Sequence, residues 1–404
     1  MAPVSALPAT PPLAAGVDPS PPTAVVGVVG GGQLARMKQQ AAIALGVQLV
    51  VLSETADDPA CRAGATHLPG RHDDLDRLFE LAERCDVDTF DHELVPNEHI
   101  AALGAAGHVV RPGPGALGLA QDKTLGRRVL ADAGYPTPPF IKVTAGDVEA
   151  VARFADAHEW PVVIKAPQGG YDGRGVQVAH SVDELPSDDW SANGHWLVEE
   201  HVAIERELAV VLARRPSGGT AVYPVVETIQ EDGICVELLM PARVPSPVAK
   251  RAAEMAVGIG NEIDAVGIMA VELFLTSDGE LLVNELALRP HNSGHATIDA
   301  CETSQFENHL RAVMDWPLGS TAQRAPAAMV NLLGGEAPFD SARLPAALEI
   351  DPAIRVHLYA KTPRPGRKIG HLTALASTTH AARRSARRAA SALLEPRRAP
   401  RRAS

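Results

Sequence analysis

Glu272 and Glu285 lie on either side of a short turn signal, and the segment Arg289-Pro290-His291-Asn292-Ser293-Gly294-His295 follows at once. Apolar runs from Ala270 to Leu275 and from Leu281 to Leu286 flank Asp278-Gly279, a strong hairpin signal. A two-residue turn there puts Glu272 directly opposite Glu285, and facing like charges repel. Hard carboxylate oxygens suit Mg²⁺, with phosphate oxygens completing its shell. The plainer alternative is two solvated side chains whose pairing is accidental, and a one-residue bulge would shift the register. The density of polar groups just downstream favours the metal site. Strict alternation along the second strand turns Asn284 to the face opposite Glu285.

A second cluster precedes it. Trp160 to Lys165 reads as a buried strand ending in a lysine, followed by Gly169-Gly170-Tyr171-Asp172-Gly173-Arg174-Gly175. So many glycines preclude a regular helix and suit a flap whose backbone N–H groups approach phosphates. Lys165 and Arg174 add the positive charge a triphosphate needs. A tight surface turn beside a snorkelling lysine is the alternative. No GxxxxGK[ST] loop is present. Trp196 to Val202 reads as a strand entering an acidic linker, and a second strand starts at Glu207. A strand edge after Val198 could hydrogen-bond adenine, with a nearby carboxylate holding ribose.

The elements positioning these groups alternate between strand and helix. Val25–Val29 is a short apolar strand, Gly30-Gly31-Gly32 turns into a helix beginning near Gln33, and residues 47–52 form the next strand, a βαβ unit. Gly30-x-Gly32-x-x-Ala35 with Glu54 downstream matches a dinucleotide fingerprint. The same turn suits any phosphate or ribose at a helix N-terminus, so a nicotinamide enzyme and another nucleotide enzyme both remain open.

The chain has 404 residues, 46% hydrophobic and 21% charged, enough for two or three domains with their own cores. Its net charge of −12 excludes a dedicated nucleic-acid binder, whose surface would be basic. Cys61, Cys85, Cys235 and Cys301 are scattered without a CxxC, which predicts buried thiols in a reducing compartment. The Pro- and Ala-rich first 23 residues read as a disordered extension without the basic start of a signal peptide. No stretch is apolar enough to span a bilayer. Arginine pairs at 383–384, 387–388, 397–398 and 401–402 read as a frayed, solvated tail.

The order lysine, glycine flap, adenine linker, ribose acid and paired carboxylates resembles the ATP-grasp enzymes. Closer still, Gly30 to Leu34, Gly169 to Gly175, Asn284 to Leu286 with Arg289 to His295, Thr303-Ser304-Gln305-Phe306-Glu307 and Arg364 to His371 together resemble the 5-(carboxyamino)imidazole ribonucleotide synthases. The resemblance runs from about Val25 to Leu375. It implies an α/β ATP-grasp fold: a Rossmann-like domain over 24–121, a small central lid domain over 122–198 and a larger α+β domain over 199–380, between an extension at 1–23 and a basic tail at 381–404. It also implies a cytoplasmic homodimer of purine biosynthesis, using ATP and Mg²⁺ (or Mn²⁺) to carboxylate aminoimidazole ribonucleotide with bicarbonate, with no nucleic-acid or membrane partner.

By the same resemblance, Lys123, Lys165, Gly170, Tyr171, Asp172, Gly173, Arg174 and Gly175 attend ATP. Glu199, Glu200, His201 and Val202 line adenine, and Glu207, Gln230, Asn284 and Glu285 complete the nucleotide site. Glu272 and Glu285 hold the metal. Arg289 steadies bicarbonate or carboxyphosphate, because its planar fork fits an oxyanion. His291 and Asp172 complete the catalytic set, and His295 orients the anion or serves the structure. Gly32, Gln33, Leu34, Tyr171, Arg289, Lys361, Arg367 and Lys368 surround the imidazole nucleotide. Leu94, Gln230, Leu288 and Ala296 depart from the usual pattern, and Ala296 is expected to leave a void. The alternatives are another ATP-grasp ligase, such as a formate-dependent ribonucleotide transformylase or a biotin carboxylase, and a nucleotide sensor or dehydrogenase built on the fingerprint.

Overall fold

The computed structural model describes residues 23–169, 175–187, 194–336 and 339–394. All but the last residue of the expected N-terminal extension, the flap residues Gly170, Tyr171, Asp172, Gly173 and Arg174, and the final arginine pairs lie outside the described residues.

The first domain comprises β1 (Val25–Val29), α1 (Gln33–Leu45), β2 (Gln48–Ser53), β3 (Thr66–Pro69), α2 (Leu75–Ala82), β4 (Val87–Phe90), α3 (Asn97–Ala105) and α4 (Pro114–Gln121). Its strands form a parallel sheet in the order β3-β2-β1-β4. The central strands β1 and β2 are short, mostly apolar and buried, as expected of a parallel sheet covered on both faces. With β1 between β2 and β4, the loops after β1 and β4 open side by side at the carboxyl edge. That is the place where open α/β sheets bind ligands.

Gly27 in β1 makes room for Asp88 in β4: a Cβ at residue 27 would lie 1.9 Å from Asp88 Oδ1. Asp88 is 3% exposed, and its Oδ1 has no hydrogen-bond partner. Burial pushes its carboxyl up to about 7. The folded protein therefore favours the neutral acid, and stability falls as pH rises from the unfolded carboxyl range through about 7. Asp88→Asn removes that loss. At pH 8 the variant should unfold about 2–4 kcal/mol less readily than the parent, with the gain vanishing near pH 4, as read by urea titration at the two pH values.

α5 (Lys123–Asp132) leads into the central domain of β5 (Phe140–Thr144), α6 (Val148–His158), β6 (Val162–Lys165), β7 (Val176–Ala179) and β8 (His195–Glu200). Its antiparallel sheet runs β5-β8-β6-β7. Trp196 is fully buried at its centre beside Val151, Phe154 and Ile164, contributing about 2–3 kcal/mol of apolar burial. β8 continues to Glu200, past the boundary expected at 198.

The third domain contains β9 (Ile204–Arg214), β10 (Thr220–Val222), β11 (Val226–Glu231), β12 (Ile234–Met240), α7 (Ser246–Glu262), β13 (Gly267–Thr276), β14 (Leu281–Ala287), α8 (Thr297–Ala300), α9 (Gln305–Val313), β15 (Ala327–Leu333), α10 (Leu344–Leu348), β16 (Arg355–Leu358), β17 (Lys368–Leu375) and α11 (Thr379–Leu394). Among the described residues, these strands make one antiparallel sheet in the order β14-β13-β9-β11-β12-β15-β17-β16, with β10 on β9.

α11 corrects the expectation of a frayed tail from residue 381. Ala382, Ala386, Ala389, Ala390 and Leu393 recur at helical spacing and are buried, giving the helix an apolar stripe that docks it. Arg383 and Arg387, the first members of their pairs, both bond Glu237 of β12. The thiols also differ from expectation: Cys301 is buried, whereas Cys61, Cys85 and Cys235 are half-buried, and all four are free. Ala296 is fully buried, in one core cluster with Ala209, Ala300 and Met329.

Candidate active site

β13 and β14 bring Glu272 directly opposite Glu285, although the turn is not the one expected. Leu275 pairs with Leu281, Thr276 N–H donates to Glu280 O at 3.0 Å, and Gly279 takes φ +84°. The loop is thus Ser277-Asp278-Gly279, a three-residue turn with glycine in the left-handed region. A bulge at Asn284 then restores the register, because Glu272 pairs with Glu285 while Leu273 pairs with Val283. The same bulge corrects the expected orientation of Asn284. Its Oδ1 accepts from Lys165 Nζ at 3.1 Å and its Nδ2 lies 3.5 Å from Glu272 Oε2, so it faces the carboxylates.

Burial, and then the charges of Glu285 and Glu207, push the Glu272 carboxyl up to about 7. A cation beside this pair offsets both burial and repulsion, and the hard oxygen donors fit a magnesium ion. Among the described residues, no three His, Cys, Asp or Glu side chains group into a metal cage. Two carboxylates plus nucleotide phosphates form the kind of incomplete shell that magnesium accepts.

Two lysines converge here. Lys123 opens α5, whose N-terminus is capped by Asp122 Oδ1 accepting from Thr124 and Leu125 N–H at 2.9 and 3.0 Å. Its Nζ pairs with Glu285. Lys165 ends β6 and is held 2.6 Å from Glu199 Oε2. The Glu199 side chain is 2% exposed and bonds Lys165 and Arg127, which leaves its backbone as the part that could meet adenine. Although burial opposes ionisation, those two cations hold its carboxyl below the usual range.

Arg127, which the sequence reading missed, is the hub. Its Nε donates to Glu199 Oε1 at 2.7 Å, while NH1 and NH2 donate to the carbonyls of Val283 and Asn284, the latter at 2.8 Å. It thereby ties the central domain to the bulge that aims Asn284 and Glu285. Its only sequence signal was a position one turn along the helix that begins at Lys123.

Glu207 on β9 and Gln230 on β11 share a side-chain hydrogen bond, and burial raises the Glu207 carboxyl. Glu200 turns towards α6, pairing with His158 at 3.0 Å. His201 and Val202 lie in the linker between β8 and β9, His201 exposed. Gly175 resumes after the flap with its carbonyl accepting from Ala166 N–H at 2.8 Å.

The second half of the site lies across the domain boundary. Arg289 Nε bonds Glu93 Oε2 at 2.6 Å. Glu93 follows β4, and its neighbour Asp91 accepts from Gly32 N–H at 2.7 Å and Ala35 N–H at 2.6 Å. The N-terminus of α1, where a dinucleotide's pyrophosphate would sit, is therefore filled by a carboxylate of the protein itself. A Cβ at Gly32 would lie 2.3 Å from Asp91 Oδ2, which accounts for that glycine without a cofactor. Glu54, the candidate ribose acid, is exposed and pairs with Arg71 at 3.4 Å. The Leu34 side chain is buried in the core with Met37, Phe306 and Tyr359.

Lys38 lies fully buried beneath this loop, its Nζ donating to Phe90 O. Burial pulls its ammonium down to about 8, against the opposing pull of Asp91. Asp91, Glu93 and Lys38, which brace this loop and Arg289, carried no assignment from the sequence. Acids just past a short apolar strand were the available signal, but only the strand order shows that they face Gly30–Gly32.

His291 Nε2 stands 3.5 Å from Glu272 Oε1 and Nδ1 lies 2.9 Å from Ser293 Oγ. Burial, then Arg289 and Lys368, push the ring's pKa down to about 3, so it is neutral at physiological pH. His295 is 1% exposed, packed against Phe306, Tyr359 and His371; burial and the neighbouring His291 hold it well below the ordinary histidine range. Lys368 opens β17 near Glu272, His291 and His295, whose charges it influences. Arg367 NH1 donates to Thr362 O at 3.1 Å, in the half-exposed loop that also carries Lys361. Gln33 begins α1 beside the Asp91 contact.

A ribonucleotide synthetase preATP-grasp domain matches residues 23–121, an ATP-grasp domain 128–306 and a phosphoribosylaminoimidazole carboxylase C-terminal domain 327–385. The N5-carboxyaminoimidazole ribonucleotide synthase of Mycobacterium bovis is 47% identical over 368 residues, covering 87% of this chain and 84% of the relative. The synthase of Corynebacterium ammoniagenes is 42% identical, covering 92% of each. The crystal structure of N5-carboxyaminoimidazole synthase from Aspergillus clavatus with ADP and 5-aminoimidazole ribonucleotide matches with a TM-score of 0.85 and 32% identity, over 92% of this chain and 98% of that one. This chain belongs to the N5-carboxyaminoimidazole ribonucleotide synthase family of ATP-grasp ligases.

Proposed function

We propose that this enzyme uses ATP to activate bicarbonate and transfers the carboxyl group to the exocyclic amine of 5-aminoimidazole ribonucleotide. The products are N5-carboxyaminoimidazole ribonucleotide, ADP and phosphate. The observation that carries the reading is the Glu272–Glu285 pair flanked by Lys123 and Lys165, beside an arginine and a neutral histidine.

Lys123 and Lys165 meet the triphosphate, and Glu207 with Gln230 takes the ribose. Glu272 and Glu285 would hold magnesium, which when bound supplies charge neutralisation at the phosphate oxygens. Bicarbonate attacks the γ-phosphorus, ADP leaves, and the resulting carboxyphosphate is held by the Arg289 fork with Glu93 fixing the guanidinium. His291, kept neutral, can orient the anion without adding a second full charge. The amine then attacks the carboxyl carbon and loses a proton, either displacing phosphate directly or adding to CO₂ after phosphate has already left. Positioning and electrostatics account for most of such catalysis. Gly170, Tyr171, Asp172, Gly173 and Arg174 are assigned to cover the phosphates and exclude water.

The imidazole nucleotide's phosphate is assigned to Lys361, Arg367 and Lys368. Arg367→Ala should raise the KM for that nucleotide about ten- to a hundredfold, the worth of a hydrogen bond to a charged group, while the ATP KM stays within about twofold. Equal changes in the two constants would remove the assignment. The family resemblance supports a cytoplasmic homodimer; among the described residues no helix is long and apolar enough to cross a membrane, and analytical ultracentrifugation reads the assembly. ADP release in the presence of aminoimidazole ribonucleotide should require bicarbonate and be unmoved by formate. Formate dependence would transfer the chain to the transformylase reading.

A further inference from the structure

The Thr303–Glu307 segment carried part of the resemblance, yet the chemistry above gives it no task. Gln305 sits at the first residue of α9, fully buried. Its Oε1 accepts from His291 N–H at 2.9 Å, and its Nε2 donates to His291 O at 2.7 Å. The backbone dictates that orientation, because an N–H needs an acceptor and a carbonyl needs a donor. The second Nε2 hydrogen therefore faces His295 Nδ1 at 3.0 Å, which makes that nitrogen the acceptor and puts the His295 proton on Nε2.

His291 is extended, at φ −119° and ψ 155°, and one amide grips both its backbone groups as a neighbouring strand would. The grip is itself fixed. Thr297 Oγ1 accepts from Gln305 N–H at 2.9 Å and donates to Gly294 O at 2.5 Å. Gly294 must be glycine because a Cβ there would lie 2.3 Å from Gln305 Oε1. From the other side, Asn292 and Asn331 exchange amide hydrogen bonds at 3.0 and 2.8 Å.

We propose that Gln305 is a positioning residue for the bicarbonate and carboxyphosphate subsite, setting the path of residues 289–291 and the tautomer of His295. This rests on the assignment of Arg289 and His291 to that anion. The metal and nucleotide carboxylates are anchored from the opposite side, through Arg127 and the bulge, and meet this segment where His291 Nε2 stands 3.5 Å from Glu272 Oε1, so displacement of the segment acts first on the anion subsite.

Gln305→Glu keeps the shape but turns a carboxylate oxygen towards His291 O, where a donor is needed. Gln305→Met removes both bonds while keeping an unbranched chain. In the full-length enzyme, both variants should lower kcat/KM for bicarbonate about a hundredfold, with the ATP KM within about twofold of the parent. If Gln305→Met fails to fold by circular dichroism, Gln305→Glu decides alone; if both fail, Gln305→Asn, which keeps the amide but is one methylene too short to hold both His291 backbone groups, supplies the bicarbonate-to-ATP comparison. Parallel changes in both Michaelis constants, or none, overturn the proposal. A parent enzyme whose ADP release ignores bicarbonate overturns the functional reading instead, and this proposal with it.

Discussion

Glu285→Gln leaves a folded protein that releases ADP about a hundred- to a thousandfold more slowly than the parent, even at saturating magnesium. The magnitude is that of removing one preorganised electrostatic group from a site where charge develops. The substitution keeps the volume of the side chain and the β13–β14 pairing, and it removes one of two facing negative charges. Relief of that repulsion offsets the loss of the Lys123 partner, so the unfolding midpoint should move by no more than about 1 kcal/mol equivalent. Activity and stability thus separate. The check is a magnesium titration of initial ADP release, with thermal unfolding in parallel. Near-normal turnover at saturating magnesium would remove the metal role.

Arg289→Ala should be at least as damaging, about a thousandfold in bicarbonate-dependent turnover, the scale seen when an arginine that stabilises transferring phosphoryl charge is lost. Two losses combine. The anion loses its bidentate partner, and Glu93, whose side chain is 17% exposed and bonded to Arg289 at 2.6 Å, is left as a half-buried charge without it. Glu93→Gln keeps an acceptor for the guanidinium and should cost much less. Arg289→Lys should not rescue, because a point charge cannot span both Glu93 and an oxyanion. ATP KM should remain within about threefold throughout. Steady-state kinetics on the three variants, varying bicarbonate and ATP separately, reads all of this, and an ATP KM that rises as steeply as that for bicarbonate would move Arg289 to the nucleotide.

The carboxylate pair was legible in the sequence for a reason that was only partly right. The apolar runs around Asp278-Gly279 announced a hairpin, but the turn has three residues, and a bulge at Asn284 cancels the offset. Loop length and bulges depend on tertiary contacts, here Arg127 on the carbonyls of Val283 and Asn284, which lie far away in sequence. The same distance hid Glu93 and Asp91. Their chemistry depends on β4 lying beside β1, a fact of strand order that local pattern does not carry. The glycine fingerprint left phosphate and ribose both open, and Asp91, which accepts from Gly32 and Ala35 N–H at the helix N-terminus, is the feature it could not show. α11 was hidden by its arginines, although its alanine spacing was in view. The strands around Val25–Val29 and Val162–Lys165 were legible because continuous apolar runs between turn signals admit few other readings, and the strand expected from Glu207 was caught by its apolar stretch, although it begins at Ile204 with polar residues.

The central claim is that ATP and bicarbonate react with one another in this site before the amine is carboxylated. Bicarbonate labelled with oxygen-18 tests it most directly, with the released inorganic phosphate analysed by mass spectrometry during turnover with aminoimidazole ribonucleotide. Attack of a bicarbonate oxygen on the γ-phosphorus leaves that oxygen on phosphorus when the carboxyl group departs, so the account predicts one labelled oxygen in each phosphate. Phosphate carrying only the oxygen of solvent water, formed at the same rate as carboxylated product, would contradict it.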